Sequence, residues 1–192
     1  MSKLLITGLK WLLGLVIAIV LALAIVMAII GRENTWAVLF GAPPVDSIDF
    51  ATLPPRAKVN SFLLCRENLC AESRPDRISP DYHVAVESLA AIVREIVEST
   101  EGLRNDDRAR PEETGTASSG SELQWDYIVT TRHLRFPDLV TVRVLDLGNG
   151  KSSLAIFSRA VYGRRDFGAN QNRIAAWMEA IEVAVALKIS GD

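Results

Sequence analysis

An unbroken apolar run near the N-terminus dominates the hydrophobic pattern of the chain. Residues 11–30 carry no charge, and as an α-helix they extend about 30 Å, the thickness of the hydrocarbon core of a bilayer. A buried core helix normally shows one polar face, and this run shows none. We therefore predict a transmembrane helix over Trp11–Ile30 that contacts the lipid bilayer.

The length and the flanks of this run predict how the chain sits in the membrane. Six apolar residues follow Ala22-Leu23-Ala24, which resembles a cleavage site, so the run exceeds the roughly 7–15 residues of a signal-peptide core. We favour an uncleaved anchor over a cleaved signal peptide. Lys3 and Lys10 precede the run and place the N-terminus in the cytoplasm. The Arg- and Ala-rich composition is typical of a GC-rich bacterium, so we predict a single-pass inner (cytoplasmic) membrane protein with a periplasmic C-terminal domain.

A proline-rich segment separates the anchor from the remaining chain. Pro43, Pro44, Pro54 and Pro55 favour extended backbone. We predict three parts: an N-terminal anchor over residues 1–31, a juxtamembrane linker over 32–61, and a periplasmic domain over 62–192.

Two segments of that domain repeat apolar residues with helical period. One extends from Val86 to Val97 and the other from about Ala169 to Ile189. Glu179 and Glu182 make the second too polar to span a membrane, and we favour a helix that covers a sheet over one that binds lipid. Its inward stripe is predicted to comprise Ile174, Trp177, Met178, Ile181, Val185 and Ile189.

Between these helices the apolar residues alternate with a period of two, which predicts strands. Three such segments start near Leu123, Val140 and Leu154, after a polar loop over residues 106–122. A turn at residues 136–138 joins the first two strands, and Asn149-Gly150 is a strong hairpin signal between the last two. The predicted fold class is α+β, a two-layer sandwich of an antiparallel β-meander covered by two helices.

Composition and charge exclude two classes of protein. With 49% hydrophobic residues and a net charge of −2, the chain is neither globally disordered nor a basic nucleic-acid-coating protein, and we expect no nucleic-acid partner. Residues 132–173 hold eight basic and three acidic residues, whereas 66–122 hold seven basic and thirteen acidic ones. This asymmetry fits ion pairs within the domain, which we favour, or an anion-binding patch.

Cys65 and Cys70 are the two cysteines of the chain. A disulfide between them is chemically permitted in the periplasm. The alternative is zinc with His83 and His133, but these histidines lie 50 positions apart, whereas zinc sites of this kind space them by about three to five. We favour the disulfide and expect no metal and no cofactor.

The segment between the last strand and the last helix contains the candidate ligand-binding residues. Two glycines, Gly163 and Gly168, allow sharp turns there, and Asp166 or Asn170 is placed to cap the helix. Arginines next to a helix N-terminus are suited to bind a carboxylate or phosphate. A rigid corner held by an Arg–Asp bond is the favoured alternative. The candidate residues are Arg159, Arg164, Asp166, Asn170 and Arg173.

This segment resembles the C-terminal signature of the domain of unknown function 1499 family. The matching positions are Ser158, Arg159, Gly163, Asp166, Gly168, Asn170 and Arg173. Residues 135–138 and the cysteine pair are similar too, so the resemblance covers about residues 62–187. The cysteine loop lacks the Pro-rich spacing of many members, and residues 112–121 look like an insertion. The resemblance implies an envelope or thylakoid-type location and no established activity, and it transfers no catalytic residue.

No motif in the chain indicates a reaction. Nucleophilic catalysis needs a Ser or Cys next to a His, and neither His83 nor His133 lies in such a motif. We therefore favour a non-enzymatic binding or interaction module with an Arg-rich strand-to-helix corner, which binds a protein partner or an anionic ligand. The alternative is a structural or assembly subunit of an inner-membrane complex, and a hydrolytic enzyme is the least favoured.

Overall fold

The computed structural model describes residues 3–44, 48–55, 59–105, 123–132 and 135–191. The loop expected over residues 106–122 and His133 lie outside them. The chain divides into two compact units, Met1–Pro43 and Pro44–Asp192.

Two helices make up the N-terminal unit, α1 over Lys3–Ile30 and α2 over Arg32–Phe40. Within α1, the segment Leu5–Ile30 contains an 18-residue stretch with a mean hydropathy of 3.3. It is long and apolar enough to serve as a membrane-spanning helix or a signal sequence. The pattern of residues 32–40 did not predict α2. Gly31 separates the two helices with a φ of +82°, a backbone conformation that glycine adopts without steric cost.

The second unit contains one six-stranded sheet in the order β2-β1-β6-β5-β4-β3. Four of its pairings are antiparallel, and β1 pairs with β2 in parallel. The predicted α+β fold class is confirmed. The elements are β1 Ser61–Cys65, β2 Arg77–Ile78, α3 Val86–Glu98, β3 Leu103–Asn105, β4 Leu123–Thr130, β5 Pro137–Gly148, β6 Lys151–Ala160 and α4 Ala169–Gly191.

Helices α3 and α4 cover one face of the sheet and form the main core with it. Alternate residues of β5 and β6, such as Val142 and Ile156, are fully buried in one cluster with residues of both helices. The predicted inward stripe of α4 is buried from Ile174 to Val185, but Ile189 is exposed, so its assignment to the core was wrong. It lies in the last turn of the helix, beyond the last buried residue of the stripe.

A second, smaller core covers the opposite face. Leu63, Ala155 and Phe157 of the sheet pack there with Phe50 and with the cysteine pair, which lies outside the helical layer. The predicted disulfide is present, with Cα atoms of Cys65 and Cys70 6.3 Å apart. Because Phe50 is fully buried, the segment expected to be a linker contributes core residues to the C-terminal unit.

The hairpin predicted at Asn149-Gly150 joins β5 to β6. Both residues have positive φ, +52° and +69°, as a two-residue turn of type I′ requires. At the other end of these strands the prediction was wrong, because Pro137 and Asp138 begin β5 instead of forming a turn. Asp138 pairs there with Ala160 of β6. Its position on the strand brings its carboxylate into the candidate site.

Candidate functional site

A turn over residues 161–168 connects the end of β6 at Ala160 to the start of α4 at Ala169. Gly163, Phe167 and Gly168 all have positive φ, at +87°, +53° and +82°. This conformation is ordinary for glycine but an outlier for an aromatic residue. The Asn60 side chain donates a hydrogen bond of 2.7 Å from Nδ2 to the Gly163 carbonyl, so the residue before β1 helps to hold the turn.

Asp166 caps the N-terminus of α4. Its Oδ1 accepts the Gly168 N–H at 3.1 Å, and its Oδ2 accepts the Asn170 N–H at 3.1 Å and the Asn170 amide at 2.8 Å. Partial burial raises the pKa of Asp166, but these hydrogen bonds stabilise the charged form more strongly, so the net pKa lies below its ordinary value of 3.8. Of the two capping residues that the sequence left open, the structure selects Asp166.

A buried ion pair joins α4 to the sheet. Nη2 of Arg173 donates to Oδ2 of Asp138 at 2.6 Å, and the two side chains are only 10% and 3% exposed. Burial raises the pKa of Asp138 above its ordinary value, and the Arg173 guanidinium reverses only part of this effect. Since an unpaired charge at this depth is costly, the pair stabilises the junction only as long as both partners are present.

Ser158 and Asn170 complete the network around the guanidinium. Nη1 of Arg173 donates to Ser158 Oγ at 2.7 Å and to Asn170 Oδ1 at 2.8 Å. The Ser158 hydroxyl also donates to Asn170 Oδ1, and the Asn170 amide donates to the Asn60 carbonyl at 3.1 Å. The network therefore connects four parts of the chain: the entry to β1, the start of β5, the end of β6 and the first turns of α4.

The five candidate ligand-binding residues separate into three groups in the structure. Asp166, Asn170 and Arg173 belong to the internal network, where their polar groups bond to other residues of the chain. Arg159 lies on the opposite face of β6 from Ser158, with its guanidinium carbon 5.9 Å from the Phe157 ring centre. Arg164 is exposed. The binding role of these residues stays a prediction.

Three participants were not among the candidates from the sequence: Asn60, Asp138 and Ser158. Asp138 had a detectable signal, because it lies in period-two register with Val140, Val142 and Val144. A carboxylate on the buried face of a strand needs a partner. Asn60 had no such signal, since its contacts lie more than 100 positions away.

Outside the network, this corner exposes two arginines and two apolar side chains. Arg164 and Arg165 are exposed. Phe167 is 92% exposed and Val59 is 84% exposed, the two highest values among the large apolar side chains described in the C-terminal unit. Val59 belongs to the same corner because the next residue, Asn60, binds Gly163. We call Val59, Arg164, Arg165 and Phe167 the corner tip.

The described residues contain no group of three or more His, Cys, Asp or Glu side chains placed to hold a metal ion. His83 is exposed, and Cys65 and Cys70 form the disulfide.

Replacement of Arg173 by Met is expected to destabilise the domain by about 3–5 kcal/mol, because it leaves the Asp138 charge buried and unpaired. The double variant Arg173→Met/Asp138→Leu should lose less stability than Arg173→Met alone, since it leaves no buried unpaired charge. The matched control is Arg77→Met, which removes the exposed ion pair with Glu182 and should cost under about 1 kcal/mol. Denaturant unfolding of the full chain in detergent micelles, followed by tryptophan fluorescence, measures all three. Equal losses for Arg173→Met and Arg77→Met would contradict the central role of the pair.

Replacement of Asp166 by Ala should lower stability at neutral pH by about 1 kcal/mol, the usual loss when a helix-capping side chain is replaced by Ala. Because the folded-state pKa of Asp166 is lowered, its charge stabilises the fold above 3.8, and this contribution is lost as the pH falls through the folded-state pKa. The difference in unfolding free energy between parent and variant should therefore narrow on acidification. The same unfolding measurement over a series of pH values tests this, and a difference independent of pH would refute it.

Comparisons with known proteins identify the family. Neither the curated proteins nor the solved structures compared with this chain include a match. The family model described as "Protein of unknown function (DUF1499)" matches residues 55–181, which contain both cysteines and the whole corner network. The match covers well over half of the chain, so this protein belongs to the DUF1499 family.

Proposed function

We propose that the protein is a membrane-anchored periplasmic interaction module, not an enzyme, whose corner tip binds the anionic headgroups of a phospholipid surface. The observation that carries the proposal is Phe167, an aromatic side chain 92% exposed on a left-handed backbone that the Asp166 cap holds in place.

The rigidity of the corner supports a binding role for its tip. A non-glycine residue in the left-handed region costs on the order of 1–3 kcal/mol and persists only where its surroundings enforce it. Here the cap on one side and the Gly163 contact on the other enforce it, while the ring itself gains no burial. A strained backbone that presents an apolar ring to solvent is typical of a site that meets a partner.

The chemistry of the tip fits a membrane surface better than a small anion. Arg164 and Arg165 supply positive charge, worth about 1 kcal/mol each near an anionic leaflet. Phe167 and Val59 supply apolar surface that gains stability at the headgroup boundary. A small anion would use the arginines and leave the two apolar side chains exposed.

Helix α1 makes a contact of this modest strength useful. If α1 stays in the bilayer, the domain remains close to the lipid surface, and the tip binds at a high effective concentration. The Cys65–Cys70 disulfide and the lysines before α1 both support a periplasmic location for the domain.

The tip should report on lipid charge when Phe167 is replaced by Cys and labelled with an environment-sensitive fluorophore. Both native cysteines are in the disulfide, so position 167 offers a single thiol. In full-length protein reconstituted into vesicles, we expect a blue-shifted emission with phosphatidylglycerol and little shift with phosphatidylcholine alone. Arg165→Glu should abolish the difference between the two lipids.

Two matched controls test the specificity of this signal. The label at Ile78, an exposed apolar residue on the edge strand β2, should not respond to lipid charge. Lys151→Glu reverses one charge at the hairpin, the opposite end of β5 and β6 from the corner, and should leave the signal at position 167 unchanged. Equal emission in both lipids, or equal effects of Arg165→Glu and Lys151→Glu, would reject the proposed contact.

The orientation of the chain has its own test. A reporter enzyme that is active only in the periplasm, fused after Asp192, should be active in bacterial cells, and the same reporter fused before Met1 should be silent. The reverse pattern would place the domain and its disulfide in the cytoplasm and reject the periplasmic module.

A further inference from the structure

Helices α3 and α4 leave an open apolar groove on the side that faces away from the sheet. The groove has a volume of about 510 Å³. Ile92 and Ile96 line it from α3, and Ala180, Val183 and Leu187 line it from α4. Val183 and Leu187 are exposed. Apolar side chains exposed along a groove between two helices offer a surface on which an amphipathic helix can bury its own apolar stripe.

The small residues of α4 create the groove. Ala176, Ala180 and Ala184 recur every four residues and therefore lie in one row along the helix. Their side chains are too short to fill the space beside Ile92 and Ile96. Along α4 the groove extends from Ala176 to Leu187, a length of about 17 Å or roughly three helical turns.

Two carboxylates border this apolar surface, Glu95 on α3 and Glu179 on α4. Neither has an ion-pair partner among the residues that the structure describes, in contrast to Glu98, which binds Arg94, and Glu182, which binds Arg77. The groove is thus apolar at its floor and negatively charged at its edges.

We propose that this groove binds an amphipathic helix of another protein, one that carries lysine or arginine on both margins of its apolar stripe. A helix placed in a hydrophobic groove buries residues spaced three and four apart, and the alanine row lets its backbone approach closely. Its basic margins would meet Glu95 and Glu179. A second copy of this chain fits less well, because pairing of the same face brings these carboxylates against each other.

The groove lies apart from the corner tip, so this inference goes beyond the proposed lipid contact and does not depend on it. No residue of the groove belongs to the corner network. A protein that fails to bind lipid through its tip can still bind a helix here.

The test uses full-length protein in phosphatidylcholine nanodiscs with a photo-crosslinking amino acid at the exposed position Leu187 or, as a control, at Ile78. The probe is a synthetic helix of leucines with lysines on both margins, and a second peptide carries glutamates in place of the lysines. We expect a concentration-dependent adduct of the lysine peptide at position 187 and none at 78. The glutamate peptide should give no adduct at either position.

A charge swap separates helix docking from nonspecific apolar contact. Glu95→Lys/Glu179→Lys should lower the affinity of the groove for the lysine peptide by about tenfold, because like charges across an interface are strongly unfavourable. The same change should allow the glutamate peptide to bind. The matched control Glu67→Lys/Glu72→Lys makes the same change of net charge at exposed positions within and just after the disulfide loop, and should have no effect. Ala180→Leu, at an exposed position, should block the groove without loss of thermal stability.

Three outcomes would overturn the inference: equal adducts at positions 187 and 78, lysine-peptide binding that persists in Glu95→Lys/Glu179→Lys, or adducts between two copies of the chain in place of peptide adducts. The last would identify the groove as a dimer interface.

Discussion

The buried ion pair between Arg173 and Asp138 is the interaction on which the corner of this fold depends. It joins the first turns of α4 to the start of β5 at a depth where neither charge is tolerated alone. Ser158 and Asn170 accept hydrogen bonds from Nη1 of the same guanidinium, and Asn60 connects this group to the entry of β1. One arginine thereby sets the position of the last helix relative to the sheet.

This arrangement separates structural from exposed polar groups at the corner. Three of the five predicted ligand-binding residues, Asp166, Asn170 and Arg173, are bonded to other residues inside the domain. Their hydrogen bonds fix a turn whose outer side carries Arg164, Arg165 and Phe167. Several hydrogen bonds within a buried polar network restrain the turn, and a restrained turn presents an exposed ring at little further entropic cost.

The two faces of the sheet show why the domain has surfaces left for partners. One face lies under α3 and α4, and the other lies under the segment around Phe50 and the disulfide loop. With both faces covered, the groove between α3 and α4 is not needed for the core of the domain. Its alanine row and its two carboxylates lie on the surface of the protein, where packing of the core does not restrict the choice of residue and binding to a partner can.

The sequence by itself determined the features that depend on neighbours in the chain. These features are the apolar run of α1, the period of α3, the alternation of β4 to β6 and the turn at Asn149-Gly150. Each depends on residues that are close together in the chain, so pattern and propensity suffice to predict it. The resemblance of residues 158–173 to a known family likewise lies in one short segment.

Tertiary structure decided which strands and side chains pair with each other across the chain. The placement of β1 beside β6, the burial of Phe50, and the pairing of Arg173 with Asp138 all involve residues tens of positions apart. Such pairings depend on how much apolar surface an arrangement buries and on whether each buried charge has a partner. That free energy belongs to the assembled domain and has no local signature in the sequence.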